Sequence, residues 1–435
     1  MLVRIHVKQL RLGMHVHELC GSWMDHPFWR GAFLLEDPKD LKTLLATGIK
    51  EVWIDTAKGL GIAVENDDDE GETEEQIAAE VEATLAQANK ATKTVPRVNI
   101  AQEAARAVKI CSKSKQAVTS MFHEARMGKA LDAEDALPIV EEISNSVMRN
   151  PGALISLARL KDKDDYTYMH SVAVCALMVA LARQLGLDEA QTRQAGLAGL
   201  LHDVGKMMIP LGILNKPGKL TDAEFQAVKD HPAQGHKMLL EGKGISAVAL
   251  DVCLHHHEKM DGGGYPEKLA GDQISLYAKM GAVCDVYDAI TSNRPYKNGW
   301  EPTESLRKMA EWSHGHFDKR IFEAFVKSVG IYPIGSLVKM ESNRLGVIME
   351  QTEKSLLTPV VKVFFSIKSD VRIPPEILDL SKPACKDKIL SHEDPAKWNI
   401  SDIHELWSGV TPAHEPSGLN IPTPRIFPAD LIVIS

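Results

Sequence analysis

The chain has 435 residues, a formal net charge of −9 and a pI of about 6.0. An excess of acid over base argues against a nucleic-acid polymer as a partner. The six cysteines form no CxxC pair, which fits reduced thiols and a cytoplasmic location, and the longest apolar run, Val172 to Ala182, is too short at eleven residues to span a bilayer. The length suits two or three domains, each with its own core.

The start, MLVRIHVKQL, alternates like a strand rather than reading as a signal peptide. Residues 1–64 read as a small α+β module. Val3–Val7, Met14–Leu19 and Glu51–Ile54 are its predicted strands, and Asp37–Thr47 is a helix ended by Gly48. Trp23, Phe28, Trp29 and Phe33 read as part of its small core, with a partner or ligand surface as the other reading. Residues 65–75, ENDDDEGETEE, carry eight acidic side chains and read as a solvated linker. Residues 76–134 are a helical connector. Ile77, Val81 and Leu85 share one face, and Ile100, Ala104, Ala107, Cys111, Val118, Met121 and Phe122 continue the helical period beyond Pro96. These helices either pack beside the next domain or form a homodimer interface, and the sequence leaves both open.

Residues 135–330 carry the chemistry. Asp164 or Asp165 precedes TYMHSVAVCALMVALARQLGL, a helix ending at Gly186, with His170 one turn in and Asp188 capping the next helix. That next helix delivers His202 and Asp203, side by side in LLHDVGK, 32 residues after His170. Lys206 follows, a cation suited to a phosphate oxygen or, in the plainer reading, a surface charge. The segment from Ile209 to Leu220 reads as a loop. His231 lies 28 residues beyond Asp203 at a helix start marked by Pro232, exposed enough to reach a metal; His236 reads as structural. Cys253 to Glu258 ends a helix in three histidines, which cannot all face one ion at 100° per residue. Asp261 to Pro266, DGGGYP, reads as a flexible loop whose glycines, Gly264 among them, let backbone approach a bulky ligand. Asp285 and Asp288 share one turn of the helix Ile274–Ile290. Imidazole and carboxylate are ligands for divalent first-row metals, and His170, His202, Asp203, His231, His256, His257 and Asp285 are more groups than one ion needs.

The series H…HD…H…HH…D, with HHExxDGxGYP and then DVYDAITSNRPYK, resembles the HD-GYP family of metal-dependent phosphohydrolases, over roughly residues 135–330. The first sixty residues resemble, more loosely, the small domain that precedes HD-GYP in one subfamily. The resemblance implies a mainly α fold: an all-helical HD-type metallohydrolase core, a small N-terminal α+β module and a small C-terminal β unit. It implies a phosphodiesterase hydrolysing the bacterial second messenger cyclic di-GMP to pGpG and/or GMP. Alignment on HHE selects His256 and His257 and leaves out His255. It also selects Asp285, with Asp288 holding a ligating histidine in its tautomer. Tyr265 would stack on a guanine, and Arg294 and Lys297 would bind phosphate.

Two divalent ions are expected. His170, His202 and Asp285 would hold one, His231, His256 and His257 the other, and Asp203 would bridge them. A hydroxide between the ions would attack phosphorus, with Lys206 offsetting the growing negative charge. Iron is the metal the family favours; manganese suits the ligands, and zinc would fit too. The family often has a glutamate four residues before the first histidine. Here that position is Tyr166, which argues against a third ion. Signalling proteins are further partners the resemblance allows. A non-catalytic cyclic di-GMP receptor and another HD-type nucleotide phosphohydrolase or oxygenase are the alternatives. The intact ligand set argues against the first and the GYP loop against the second.

Beyond Phe317, IFEAFVKSVG reads as a helix. Residues 331–435 read as a C-terminal unit, with short strands from 334 to 373. From 374 to 425 an extended or partly disordered tail is expected, docked by Trp407.

Overall fold

A helix that is apolar on every side has to be enclosed. In the computed structural model the helix Tyr166–Gln184 is such a helix, with every side chain from Ser171 to Ala182 buried. The structure describes residues 2–20, 32–46, 49–61, 72–73, 83, 98–159, 166–214, 216, 220–292, 299–313, 315–352 and 355–409. Trp23, Phe28, Trp29, Ile77, Val81, Leu85, Pro96, Asp164, Asp165, Arg294, Lys297 and the side chain of Tyr166 lie outside the described residues.

Two apolar clusters meet on this central helix. Val174, Leu177, Met178 and Leu181 face the helices Leu276–Thr291 and Lys319–Val329 through Met280, Val283, Phe322 and Phe325. Val172, Cys175, Ala176 and Val179 face the helices Ile100–Arg126 and Ala133–Arg149 through Phe122, Val140 and Ile143. Side-chain caps mark the helix starts: Asn99, Asp132, Asp188, Ser246, Ser275 and Asp318 each accept a hydrogen bond from a first-turn amide. Ser275 sets the start of its helix two residues beyond the Ile274 expected to lie inside it. Ile209–Leu220 is not all loop, because Leu211–Leu214 forms one helical turn.

The helix Ile100–Arg126 is locked to Ala133–Arg149 by an ion pair whose carboxylate is buried and whose guanidinium is partly exposed. Arg149 donates from Nε to Glu103 Oε2 at 2.7 Å and from Nη2 to Oε1 at 2.9 Å, and Ser146 adds a third donor at 2.7 Å.

The N-terminal module is an antiparallel sheet of order β3-β2-β4-β1-β5, formed by β1 (Leu2–His6), β2 (His15–Leu19), β3 (Phe33–Leu34), β4 (Glu51–Asp55) and β5 (Glu72–Thr73). Two residues of the expected acidic linker are therefore an edge strand on β1. Val3 lies opposite Ile54 and Ile5 opposite Val52, and this face forms the module's own core with Leu44 of the helix Pro38–Ala46. Phe33 joins that core. The opposite face carries Trp53, which is 7% exposed and packs into the cluster of the helical domain rather than that of its own module.

The C-terminal unit is a second antiparallel sheet of order β10-β6-β7-β8-β9, with β6 (Leu337–Met340), β7 (Arg344–Glu350), β8 (Val360–Ser366), β9 (Val371–Asp379) and β10 (Ile389–Glu393). The expectation of an extended tail from 374 is corrected as far as Gly409. β9 runs on to Asp379, β10 closes the sheet, and the helix Ile403–Ser408 buries Trp407 against Gly335. Trp407, at 1% exposure, supplies the apolar area that a tail rich in polar residues lacks. Among the described residues no helix is long and apolar enough to cross a membrane.

Candidate metal centre

Helix ends bring the histidines and aspartates together. His170 projects from the first turns of Tyr166–Gln184. His202 closes the helix Glu189–Leu201, and Asp203 precedes the 3₁₀ turn Val204–Met208. His231 opens the helix His231–Leu240, and His256 closes Ala247–His255. The contact between the 3₁₀ turn and the helix His231–Leu240 is backbone against backbone. A Cβ on Gly205 would lie 1.9 Å from the carbonyl oxygen of His231 and 2.4 Å from the amide nitrogen of Gly235. Only glycine fits there, and the contact sets Asp203 beside His231. His231, read as exposed enough to reach a metal, is buried together with the rest of the cluster, because the seven groups point inward from surrounding helices.

The seven side chains form two groups joined by one carboxylate. In the first, His170 Nε2 is 2.9 Å from Asp285 Oδ1, and His202 Nε2 is 3.7 Å from the same oxygen. The second is His231, His256 and His257; the ligand atoms within each group lie within 4.8 Å of one another. Asp203 stands between them. Its Oδ2 faces His202 Nε2 at 3.3 Å and His170 Nε2 at 3.4 Å, while its Oδ1 faces His231 Nε2 at 3.3 Å and His256 Nε2 at 3.8 Å.

The protons of these imidazoles are placed by their outer neighbours. His202 Nδ1 donates to Gly199 O and His231 Nδ1 to Val228 O, both at 2.8 Å, and His256 Nδ1 donates to Val252 O at 3.0 Å. In the form protonated at Nδ1 alone, each ring aims the lone pair of Nε2 inward. Nε2 of His231 and Nε2 of His256 are 3.4 Å apart, two lone pairs facing each other. With neither Nε2 protonated that arrangement is repulsive, and a cation held between the rings would relieve it. His202 Nε2, Asp203 Oδ1, His257 Nε2 and both carboxylate oxygens of Asp285 are buried without a hydrogen bond. Imidazole nitrogens and carboxylate oxygens left this way are the donor set of a divalent first-row ion, and the cluster is compatible with such a site.

Electrostatics separate the two groups. Burial, with His202 and His231 adjacent, pushes the His256 imidazole down to about 3. Burial and His256 hold His257 well below the usual range. Burial would also lower His170, but Asp203, Asp285 and Asp288 outweigh it and raise its pKa well above the ordinary value. Burial would raise both carboxylates; His202 and Lys206 hold Asp203 well below the usual range, and His170 and His202 do the same for Asp285.

The other expected residues fall around this centre. Asp288 Oδ2 lies 2.6 Å from His170 Nδ1. Lys206 is no surface charge: it is 1% exposed and donates to Asp203 Oδ2 at 2.6 Å. His255 turns away, its Nδ1 2.8 Å from Asp251 Oδ1. The loop from Asp261 to Pro266 is more tightly tied than a flexible loop. Gly264, expected to admit a ligand, has an internal reason to be glycine, because a Cβ would lie 2.5 Å from Glu258 Cα and from Lys259 N. Tyr265 was expected to offer its ring to a base; it stacks on His257 with centroids 4.7 Å apart, so one face is already covered.

Two residues around the loop were missed. Glu258, read only as part of HHE, accepts from the amides of Glu267 at 2.7 Å and Leu269 at 3.0 Å and so pins the far end of the loop. Lys229 places its ammonium 5.1 Å from the ring centroid of Tyr265. A glutamate beside two of the clustered histidines was the available signal for the first; nothing local marked the second.

Two family models match the chain, a domain of unknown function (DUF3391) over residues 2–136 and an HD domain over 145–321, which contains all seven clustered groups. The chain is 56% identical over 411 residues to the cyclic di-GMP phosphodiesterase PA4108 of Pseudomonas aeruginosa, covering 94% of this chain and 96% of that one. It is 42% identical over 149 residues to the cyclic di-GMP phosphodiesterase response regulator RpfG of Xanthomonas campestris, covering 34% and 39%. It is 36% identical over 171 residues to 3'3'-cGAMP-specific phosphodiesterase 3 of Vibrio cholerae, covering 39% and 37%. A likeness to the Pseudomonas protein that runs nearly end to end, with the histidine and aspartate cluster inside the matched HD domain, makes this chain a member of the HD-GYP family.

Proposed function

We propose that the protein hydrolyses cyclic di-GMP to pGpG and/or GMP in the cytoplasm, at a centre of two divalent cations. The observation that carries this reading is the position of Asp203, with one oxygen toward His170 and His202 and the other toward His231 and His256. The name carried by the Pseudomonas relative supports the substrate. His170, His202 and Asp285 would hold one ion, His231, His256 and His257 the other, and Asp203 would serve both. Iron is the first choice of metal and manganese the second, and Tyr166 in place of a carboxylate supports two ions rather than three.

Bound divalent cations lower the pKa of water toward neutrality and offset phosphate charge. The chain's own residues prepare that chemistry. Asp288 and the carbonyls of Gly199, Val228 and Val252 fix the imidazole protons on Nδ1, so that Nε2 faces the reaction. Lys206 adds a buried positive charge beside Asp203, where the phosphodiester gains negative charge. Tyr265, Gly264, Arg294 and Lys297 complete the substrate contacts in this reading.

The test is metal analysis of anaerobically purified protein, alongside turnover of cyclic di-GMP and 3'3'-cGAMP. About two ions per chain with preferred turnover of cyclic di-GMP is expected. Tight binding without turnover would favour a receptor instead.

A further inference from the structure

We infer that the N-terminal module is one wall of the site, with Lys50 as a positioning residue that holds the loop Asp261–Pro266 through Asp261. The role assigned to that loop rests on the phosphodiesterase reading above.

Lys50 forms an ion pair with Asp261, the first residue of the loop. Its backbone is fixed, since its carbonyl accepts from the amide of Val7 at 2.6 Å and it leads directly into β4. The module that carries it is anchored on the helical domain at two further points. Trp53, two residues into β4, is buried in the helical cluster, and Lys308 reaches back to Glu18 of β2 at 3.0 Å. Lys50 is therefore presented from a docked body rather than from a free surface.

The loop needs such tethers. It holds three consecutive glycines, with Gly262 at φ +75, and has little stiffness of its own. Asp261 is where its tethers converge. The amide of Asp261 donates to Gly315 O at 2.9 Å, and its Oδ1 accepts from Gly263 N at 2.7 Å. At the other end Tyr265 N donates to His257 O at 3.2 Å, and its ring stacks on that imidazole. A line of contacts thus runs from the N-terminal module through Asp261 and the loop to Tyr265, the residue assigned to the substrate in that reading. The ion pair is half-exposed, so its effect is modest and falls first on where the loop rests.

The experiment compares full-length, metal-loaded protein with Lys50→Glu, Lys50→Arg and, as a control within the same module, Lys58→Ala. Hydrogen exchange of the amides from 259 to 270 and the steady-state constants with cyclic di-GMP are measured together. In Lys50→Glu those amides exchange faster and KM rises about fivefold, the upper range for an exposed ion pair. Its kcat and metal content stay at the parent values. Lys50→Arg restores both readouts, and Lys58→Ala matches the parent. Unchanged exchange in Lys50→Glu overturns the proposal, and so does faster exchange with a parental KM. If the parent itself fails to turn over cyclic di-GMP, the substrate reading falls, and the exchange comparison still decides whether Lys50 holds the loop.

Discussion

Asp288 and His170 form a 2.6 Å contact between Oδ2 and Nδ1, the carboxylate approaching the imidazole at the nitrogen opposite the one that faces Asp203 and Asp285. The pair fixes which nitrogen of His170 is available and orients its ring. Asp288→Asn keeps the size but removes the charge, and is expected to lower metal affinity or turnover about 10- to 100-fold. Metal titration of the chelated protein, followed by turnover, checks this; a parental affinity and rate would exclude the orienting role.

Asp203→Asn is the most severe change expected at the centre. It removes the one negative charge shared by both groups while leaving the shape in place. At least one metal ion and nearly all turnover are expected to be lost. His255→Ala is the control, since that ring pairs with Asp251 and points out of the cluster. It should keep the parental metal content by elemental analysis.

Gly264→Ala tests the loop's packing separately from the metals. The added carbon would meet backbone atoms of His257, Glu258 and Lys259 within 2.6 Å. Backbone cannot swing aside as a side chain can, so a stability loss of about 3 kcal/mol is expected. Denaturant titration measures it, and a loss under about 0.5 kcal/mol would contradict the close approach.

Glu103 gives a pH signature remote from the centre. Burial would raise its pKa, but hydrogen bonds from Arg149 and Ser146 outweigh that and hold it below the ordinary 4.5. A depressed carboxylate stabilises the fold above its unfolded pKa, and that stability is lost as pH falls through the folded value. Glu103→Gln should therefore cost about 2 kcal/mol near neutrality, the size of a hydrogen bond to a charged group. The gap between variant and parent should narrow as pH is lowered below 4.5. A gap that stays constant down to acid pH would rule out the assignment.

The clustered histidines and aspartates could be read from the chain because metal chemistry admits few residue types, and helix ends deliver them at short, fixed spacings. His202 and Asp203 are adjacent, and His256 and His257 follow one another at one helix end. Asp288 was readable for the same reason, lying one turn from Asp285. What stayed hidden depends on distant partners. Glu103 and Arg149 are ordinary surface residue types until two helices lay them together, 46 positions apart. Trp53 read as part of its module, because alternation along β4 says which side chains share a face and not which body that face meets. Lys50 and Asp261 belong to separate domains, and nothing local signals that they pair.

The glycine contact between the turn after Asp203 and the helix after His231 gives the centre its own kind of rigidity. Two main chains touch there with no side chain between them, at positions 205 and 235. The spacing of Asp203 from His231 is therefore set by main chain against main chain rather than by rotamer or side-chain size. Redesigning this pocket for ions of a different spacing would have to begin by moving a helix.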